Sequence, residues 1–552
     1  MERVFHGGMK PPFDIFVNQA GYLPRGSKSA ALAFPTKQFS LVDDMGKVRY
    51  SGEVTCFGRD ECSGDEVYNA DFSDFSETGR YRVCVEGKYS PFFEISSNAY
   101  RDVFEKTEKA FYFLRCGCSL DPQYAGAFTH GKCHTGKALI CGDNGEKPAE
   151  NAETAEVSGG WHDAGDYGRY TTAAACTLGH LLYAYRMFPG AFRNQNLNIP
   201  ESGSAMPDIL AECRYELEWL LKMQRPDGGV YHKLTTAHHA LFVMPEEDRE
   251  QLYLLPVSSP ATADFCAVCA LAAGVYREFD SVFSVKLLSA AEKSCNKIIE
   301  DRSFKGFENP DWCGTGSYGE GDDSDNRFWA FAEMFAATGE EKYQEEMKKA
   351  LKKDFFRVGF YCGAVGGFGA LSYILSERDG KDKALCEQLK SEFFSAAKAQ
   401  AELSDKSGYG AAMMPYNFNW GSNMCVGVSA MTFIIADYLS GEKQYEKYAL
   451  RQLDYLLGVN PLGISYITGV GGLSCRNPHY RPGFADGIDE PIPGMVSGGP
   501  NRNLDDEAAR QVIPAGTPPM KCFADITPSY STNEIAIYWN SPVVFALSYF
   551  NK

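Results

Sequence analysis

The chain has 552 residues, 44% apolar and 23% charged, with 37 Phe, 31 Tyr and 6 Trp; that composition folds, and the length calls for two domains rather than one core. Its 54 basic and 72 acidic side chains leave a net charge of −18. Such a surface repels phosphate backbones and anionic headgroups, so neither nucleic acid nor a membrane surface is expected as a partner, whereas a neutral ligand such as a sugar is compatible.

The N-terminal stretch MERVFHGGMKPPFDIF has no apolar h-region and no small-residue cleavage site, and no later run of about 18 apolar residues suggests a membrane span. Residues 12 to about 97 read as strands. Phe13 to Val17 is extended, Phe39 to Val48 contains the turn Asp44-Met45-Gly46-Lys47, and Tyr81 to Glu86 alternates with period two before turning at Glu86-Gly87-Lys88. Regular turn spacing points to an immunoglobulin-like β-sandwich over residues 1–97.

From residue 98 the apolar period changes to 3.6. Leu210, Cys213, Leu217 and Leu220 form one helical face, and similar stripes run through Phe265 to Tyr276, Val282 to Ile299, Phe328 to Ala337, Tyr343 to Leu351, Val426 to Tyr438 and Tyr445 to Leu457. Gly363-Ala364-Val365-Gly366-Gly367 lacks the helix start and Lys of a phosphate loop. Residues 98–552 therefore read as one large all-α domain whose long loops carry the function. Eighteen Cys, several of them (Cys176, Cys213, Cys266, Cys295) inside apolar patterns, read as reduced core residues of a cytoplasmic protein. A signal peptide trimmed from the sequence would make it secreted instead.

Three loops concentrate chemistry. Gly159-Gly160-Trp161-His162-Asp163-Ala164-Gly165-Asp166-Tyr167 places two carboxylates three apart with only small residues between, so one can act as a base while the other holds a water; a helix cap or calcium loop uses the same spacing. Asn477-Pro478-His479-Tyr480-Arg481-Pro482 is a stiff loop presenting hydroxyl-binding His479 and Arg481. Phe523 to Ser541 carries Asp525, Glu534, Tyr538 and Trp539, with Glu534 at the start of an apolar helix. Burial there would raise a general acid's pKa, while the helix dipole would lower it. Together these loops supply an acid, a base and aromatic faces (Trp161, Tyr538, Trp539) for sugar rings, the apparatus of inverting glycosidic cleavage, in which the carboxyls stand about 6.5–9.5 Å apart.

These segments, with Leu456-Leu457-Gly458-Val459-Asn460-Pro461 and Asn419-Trp420-Gly421-Ser422-Asn423, resemble glycoside hydrolase family 9, the cellulase and endoglucanase family. Val17-Asn18-Gln19-Ala20-Gly21-Tyr22 resembles the start of the immunoglobulin-like module that precedes some members. The resemblance implies an (α/α)6 barrel after the β-sandwich, Asp166 as base, Asp163 as its partner on the water, Glu534 as acid, His479 and Arg481 on the sugar, and Asp525 in support. It implies endo-acting hydrolysis of β-1,4-glucan chains. Tyr480 stands where many members carry a second His, which leaves the sugar contacts open.

Cys116, Cys133, His134 and His162 form a Cys2His2 set suited to tetrahedral zinc, and members with the module hold a structural zinc at similar residues. Glu201, Ser204 and Asp208 lie in a loop that resembles a family calcium site, and Glu320 to Asn326 resembles another; solvated acidic loops are the alternative. Within enzymes, the competing reading is an exo-acting β-glucosidase or β-glucosaminidase on imported short oligosaccharides. Outside enzymes, it is a carbohydrate-binding protein, which would have no need of Asp163, Asp166 and Glu534. Oligomeric state is not legible.

Overall fold

Period-two alternation between Ile15 and Ile95 produces eight antiparallel strands in a computed structural model that describes residues 5–6 and 10–552. Residues 1–4 and 7–9 of the stretch inspected for a leader lie outside the described residues. The chain divides into two compact units, Met1–Ala110 with Phe394–Lys552, and Phe111–Phe393.

In the first unit, the 12-residue strand Val48–Arg59 belongs to both layers of the sandwich. Its first half pairs with Gln38–Asp43 and its second half with Glu66–Asp71. Gly79–Val85 continues the first layer and Ser29–Leu32 the second. Inward residues Tyr22, Phe39, Phe72, Tyr81 and Phe93 fill the space between, with Tyr22 edge-on to Phe72 and Phe93 at 5.1 and 5.0 Å. The sandwich is tied to the C-terminal helices by buried polar contacts. Asn18 Nδ2 donates to Asp454 Oδ1 at 2.8 Å, and Gly408 N donates to Asp60 Oδ2 at 2.8 Å. A further strand, Phe5–His6, pairs with Ala524–Asp525, Phe5 opposite Asp525. Helix Ser422–Ser440 packs on Glu446–Leu456 and Ile537–Phe550.

In the second unit, Ser259–Tyr276 packs on Thr171–Met187, Ser281–Glu300 and Ser324–Thr338, and the last packs on Gly366–Leu375. Ser258 Oγ caps the first of these by accepting from Ala261 N at 3.2 Å. Helices Ser259–Tyr276 and Ser422–Ser440 are long and apolar enough to cross a membrane, but 94% and 83% of their apolar stretches are buried inside the fold. Two expectations change. A small five-stranded sheet, Thr154–Ala155, Ala138–Ile140, Tyr253–Leu254, Lys233–Thr235 and Arg169–Tyr170, sits among the helices; its strands are two or three residues long, too short for a periodic pattern. And a helix does begin at Gly366, running to Leu375; with no Lys there, Val365 N instead donates to Asp325 Oδ2 at 2.8 Å.

Candidate active site

In the second unit, the small sheet fixes a tight loop. Strand Arg169–Tyr170 pairs with Lys233–Thr235, His162 N donates to Leu114 O at 2.7 Å, and Asp163 N donates to Gly168 O at 3.0 Å. Asp163 and Asp166 thus sit on one turn, each nearly buried. Asp166 Oδ2 accepts from Gly168 N at 3.0 Å and Tyr170 Oη at 3.3 Å, and lies 3.2 Å from His239 Nδ1. Tyr318 Oη donates to Asp163 Oδ2, while Asp163 Oδ1 is buried with no hydrogen-bond partner. Burial pushes Asp163 well above the usual carboxylate range; the neighbouring Asp166 charge adds to this and the Tyr318 hydroxyl opposes it. Gly168 is required by space, since a Cβ would lie 2.5 Å from Tyr170 Oη and 2.7 Å from Asp166 Oδ2.

In the first unit, Asp525 organises the second and third loops. Its carboxylate accepts from Arg476 N and Asn477 N, both at 2.8 Å, and from Asn533 Nδ2 at 3.0 Å. His479 Nδ1 lies 2.6 Å from Thr527 O; a carbonyl only accepts, so Nδ1 carries a proton and Nε2 is the nitrogen left for other partners. His479 and Glu534 form a parallel bridge, and Gly498 N donates to Glu534 O at 2.8 Å. Glu534 is therefore extended (φ −67°, ψ 158°) between the short helix Tyr530–Asn533 and the helix that starts at Ile537, not at a helix N-terminus. Arg481 opens the short helix Arg481–Ala485 and is largely buried. Exposed Trp420 and Tyr530 lie with ring centroids 5.1 Å apart, and Tyr530 is 5.9 Å from His479.

Several expected sugar contacts prove structural. Trp161 is 1% exposed, packs on Phe111 at 4.9 Å and donates from its indole to Glu212 Oε2 at 3.3 Å, so it offers no face to a sugar. Trp539 is also buried, against Gly421 and Gly498; Tyr538 beside it is half-buried. Tyr480 is 1% exposed, so its hydroxyl and ring belong to the interior. Asp525 spends its carboxylate on backbone and Asn533. Residues missed in the sequence are Tyr170, His239 and Tyr318. The pair His238-His239 in a chain with only nine His was a usable signal; for Tyr318, 155 positions from Asp163, there was none.

Cys116, Cys133, His134 and His162 converge, with their ligand atoms within 4.8 Å of one another and all four side chains buried. Nδ1 of both His134 and His162 is buried with no hydrogen-bond partner, while His134 Nε2 lies 3.2 Å from Asp248 Oδ2. A carboxylate on one ring nitrogen with the other aimed into a thiol pair fits zinc ligation. Burial alone would raise the Cys116 thiol, but Cys133, Arg169 and His162 outweigh it and pull it well below the usual thiol range. The residues expected for calcium are otherwise engaged. Glu201 pairs with Arg115 at 2.8 Å, Asp208 Oδ2 accepts from Leu197 N at 2.7 Å and Ser202 Oγ at 2.6 Å, and Ser204 is exposed. By contrast, Asp264 Oδ2, Glu320 Oε1 and Asn326 Oδ1 are all buried without partners, and burial together with the Asp325 charge pushes Glu320 up to about 8.

Residues 100–547 match glycosyl hydrolase family 9, and residues 10–90 match the cellulase N-terminal ig-like domain. A cellodextrinase of Butyrivibrio fibrisolvens is 42% identical over 97% of this chain and 99% of its own length. Endoglucanase D of Acetivibrio thermocellus is 35% identical over 97% of this chain and 83% of its own. The crystal structure of a single-mutant thermostable endoglucanase from Alicyclobacillus acidocaldarius superposes with a TM-score of 0.91 at 35% identity, covering 98% of this chain and 100% of that one. The fold class is accordingly an N-terminal immunoglobulin-like β-sandwich followed by an (α/α)6 helical catalytic domain.

Proposed function

The chain belongs to glycosyl hydrolase family 9 and is a glycoside hydrolase; from that premise we propose that it cleaves β-1,4-glucosidic bonds of soluble cellulose-type chains with inversion at the anomeric carbon. The observation carrying the reading is the pair of carboxylates on one turn with different surroundings. Asp163 is held by the Tyr318 hydroxyl, and Asp166 is flanked by the 40% exposed His239. Asp166 takes the proton from water as that water attacks, Asp163 orients the water, and Glu534 delivers a proton to the departing glycosidic oxygen. His479, through Nε2, and Arg481 bind sugar hydroxyls, with Trp420 and Tyr530 offering exposed aromatic faces.

The similarity to a cellodextrinase over nearly its full length favours cello-oligosaccharides and soluble glucans over crystalline cellulose, and supports the exo-acting reading on short chains alongside the endo-acting one. Eighteen unpaired cysteines support work in a reducing compartment on imported sugars. Zinc would be held by Cys116, Cys133, His134 and His162; when bound it anchors the loop that continues into Asp163 and supplies no step of the reaction. A hard cation suits the orphaned oxygens of Asp264, Glu320 and Asn326 better than Glu201, Ser204 and Asp208.

The test is hydrolysis of a cello-oligosaccharide series, with products followed by length and by proton NMR of the first-formed anomer. The α anomer released from a β linkage is expected, and loss of turnover in Asp166→Ala and Glu534→Gln with unfolding unchanged. A β product, or wild-type turnover in either variant, overturns the assignment.

A further inference from the structure

Lys233 is fully buried beside the base loop, and none of the chemistry above uses it. Its Nζ donates to Asn309 Oδ1 at 2.7 Å, Thr315 Oγ1 at 2.8 Å and Gly316 O at 2.7 Å. An ammonium has three N–H groups, and all three are spent on one loop. Its backbone, meanwhile, is paired with Tyr170, whose hydroxyl bonds the base Asp166. One residue thus joins the strand behind the base to the loop that leads into Tyr318.

That loop needs holding. Tyr318 has φ +51°, a left-handed conformation that a non-glycine residue keeps only when its surroundings impose it. Its ring lies 4.5 Å from Tyr170 and its hydroxyl donates to Asp163. The loop's other ties are neutral: His232 Nε2 lies 2.9 Å from Ser317 O, and Thr315 Oγ1 lies 3.0 Å from Thr235 Oγ1. Burial pulls Lys233 down to about 8, which leaves it charged and able to make all three donations at neutral pH. A buried charge is costly even with the Cys313 thiol and the Asp166 charge favouring it, and filling the space would need only an apolar side chain.

We infer that Lys233 is a positioning residue for glycoside hydrolysis, its ammonium pinning the Asn309–Gly316 loop so that strained Tyr318 presents its hydroxyl to Asp163. The inference rests on the assignment of Asp163 and Asp166 to water activation. Since a displacement of about 1 Å at a reacting group costs up to ~100-fold, Lys233→Met should lower kcat at least ~10-fold while KM on cellotetraose changes less than ~3-fold. A merely structural lysine would lower the melting temperature and leave the folded fraction fully active.

The discriminating experiment is a double-mutant cycle with Tyr318→Phe, run beside Asp166→Ala. If Lys233 acts through Tyr318, Lys233→Met costs less than ~3-fold further in the Tyr318→Phe background. Full additivity, or wild-type kcat in folded Lys233→Met, overturns the inference. Should Lys233→Met not fold, Thr315→Val removes one acceptor and is read in the same cycle: coupling to Tyr318 sustains the inference, and additivity or wild-type kcat overturns it. Substantial activity in Asp166→Ala would instead overturn the site assignment, independently of Lys233.

Discussion

His239 Nδ1 lies 3.2 Å from Asp166 Oδ2, the imidazole 40% and the carboxylate 8% exposed. An open residue on a nearly closed one is an arrangement for steering a carboxylate without sealing it from water. Removing the imidazole takes one group off Asp166 Oδ2, leaving Gly168 N and Tyr170 Oη on the same oxygen. His239→Ala is expected to lower kcat ~10-fold, less than the ~10²–10⁴-fold typical of losing the base itself. His239→Gln, which keeps a neutral donor, should recover part of the loss. Steady-state kinetics of both variants decide it; unchanged kcat in the alanine variant would remove His239 from the site.

Gly168→Ala should be more damaging than its size suggests. Its new Cβ would meet Tyr170 Oη and Asp166 Oδ2 at 2.5 and 2.7 Å, so the base must move. Activity is expected to fall by ~100-fold, the cost of a misplaced reacting group, with the far-ultraviolet circular dichroism retained. Near-normal activity would mean that Asp166 tolerates displacement and is not the base.

Metal content tests the Cys2His2 group. Protein prepared without chelators should hold about one zinc per chain, and Cys133→Ser should lose metal and melt at lower temperature. Asp248→Asn, which weakens the contact on His134 Nε2, should reduce zinc affinity ~10–100-fold. Metal analysis that finds no zinc in the intact protein rejects the site.

The Asp454 carboxyl is pushed up to about 7, burial being the main cause, with the Asn18 hydrogen bond and the Arg451 charge opposing it; Tyr22 and Tyr100 hydroxyls complete its surroundings. Its folded pKa lies above its unfolded one, so the stability it contributes is full below about pH 4 and is lost as pH rises through 7. Asp454→Asn escapes that loss. It should melt higher than wild type at about pH 8.5 and match it at about pH 4, with a ceiling of ~4 kcal/mol set by the size of the shift. Equal melting temperatures at the higher pH would show that Asp454 is not carried as a buried charge.

What could be read in the sequence divides along physical lines. The Leu210, Cys213 and Leu217 stripe located Asp208–Leu220 because polar Glu212, Arg214, Glu216 and Glu218 interrupt it in sequence, although of these only Glu218 is exposed. Thr171–Met187 left no stripe, being buried around nearly its whole circumference. The Asp163–Asp166 turn was legible because a turn needs only local spacing, and Asp525 was read as a supporting group, which fits its bonds to Arg476 N, Asn477 N and Asn533 Nδ2. Trp161 and Trp539 looked like sugar platforms because aromatic content carries no record of which side faces water. Lys233 and Tyr318 lie far along the sequence from Asp163 and Asp166, and only the folded chain brings them together.

The pairing of Phe5–His6 with Ala524–Asp525 bears on how the protein is handled at the bench. Asp525 is the hub that holds the His479 loop, and the strand bordering it comes from the first residues of the chain. Deleting Phe5 and His6 would remove that strand and loosen the border of a loop whose Asp525 lies some 500 residues further along the chain.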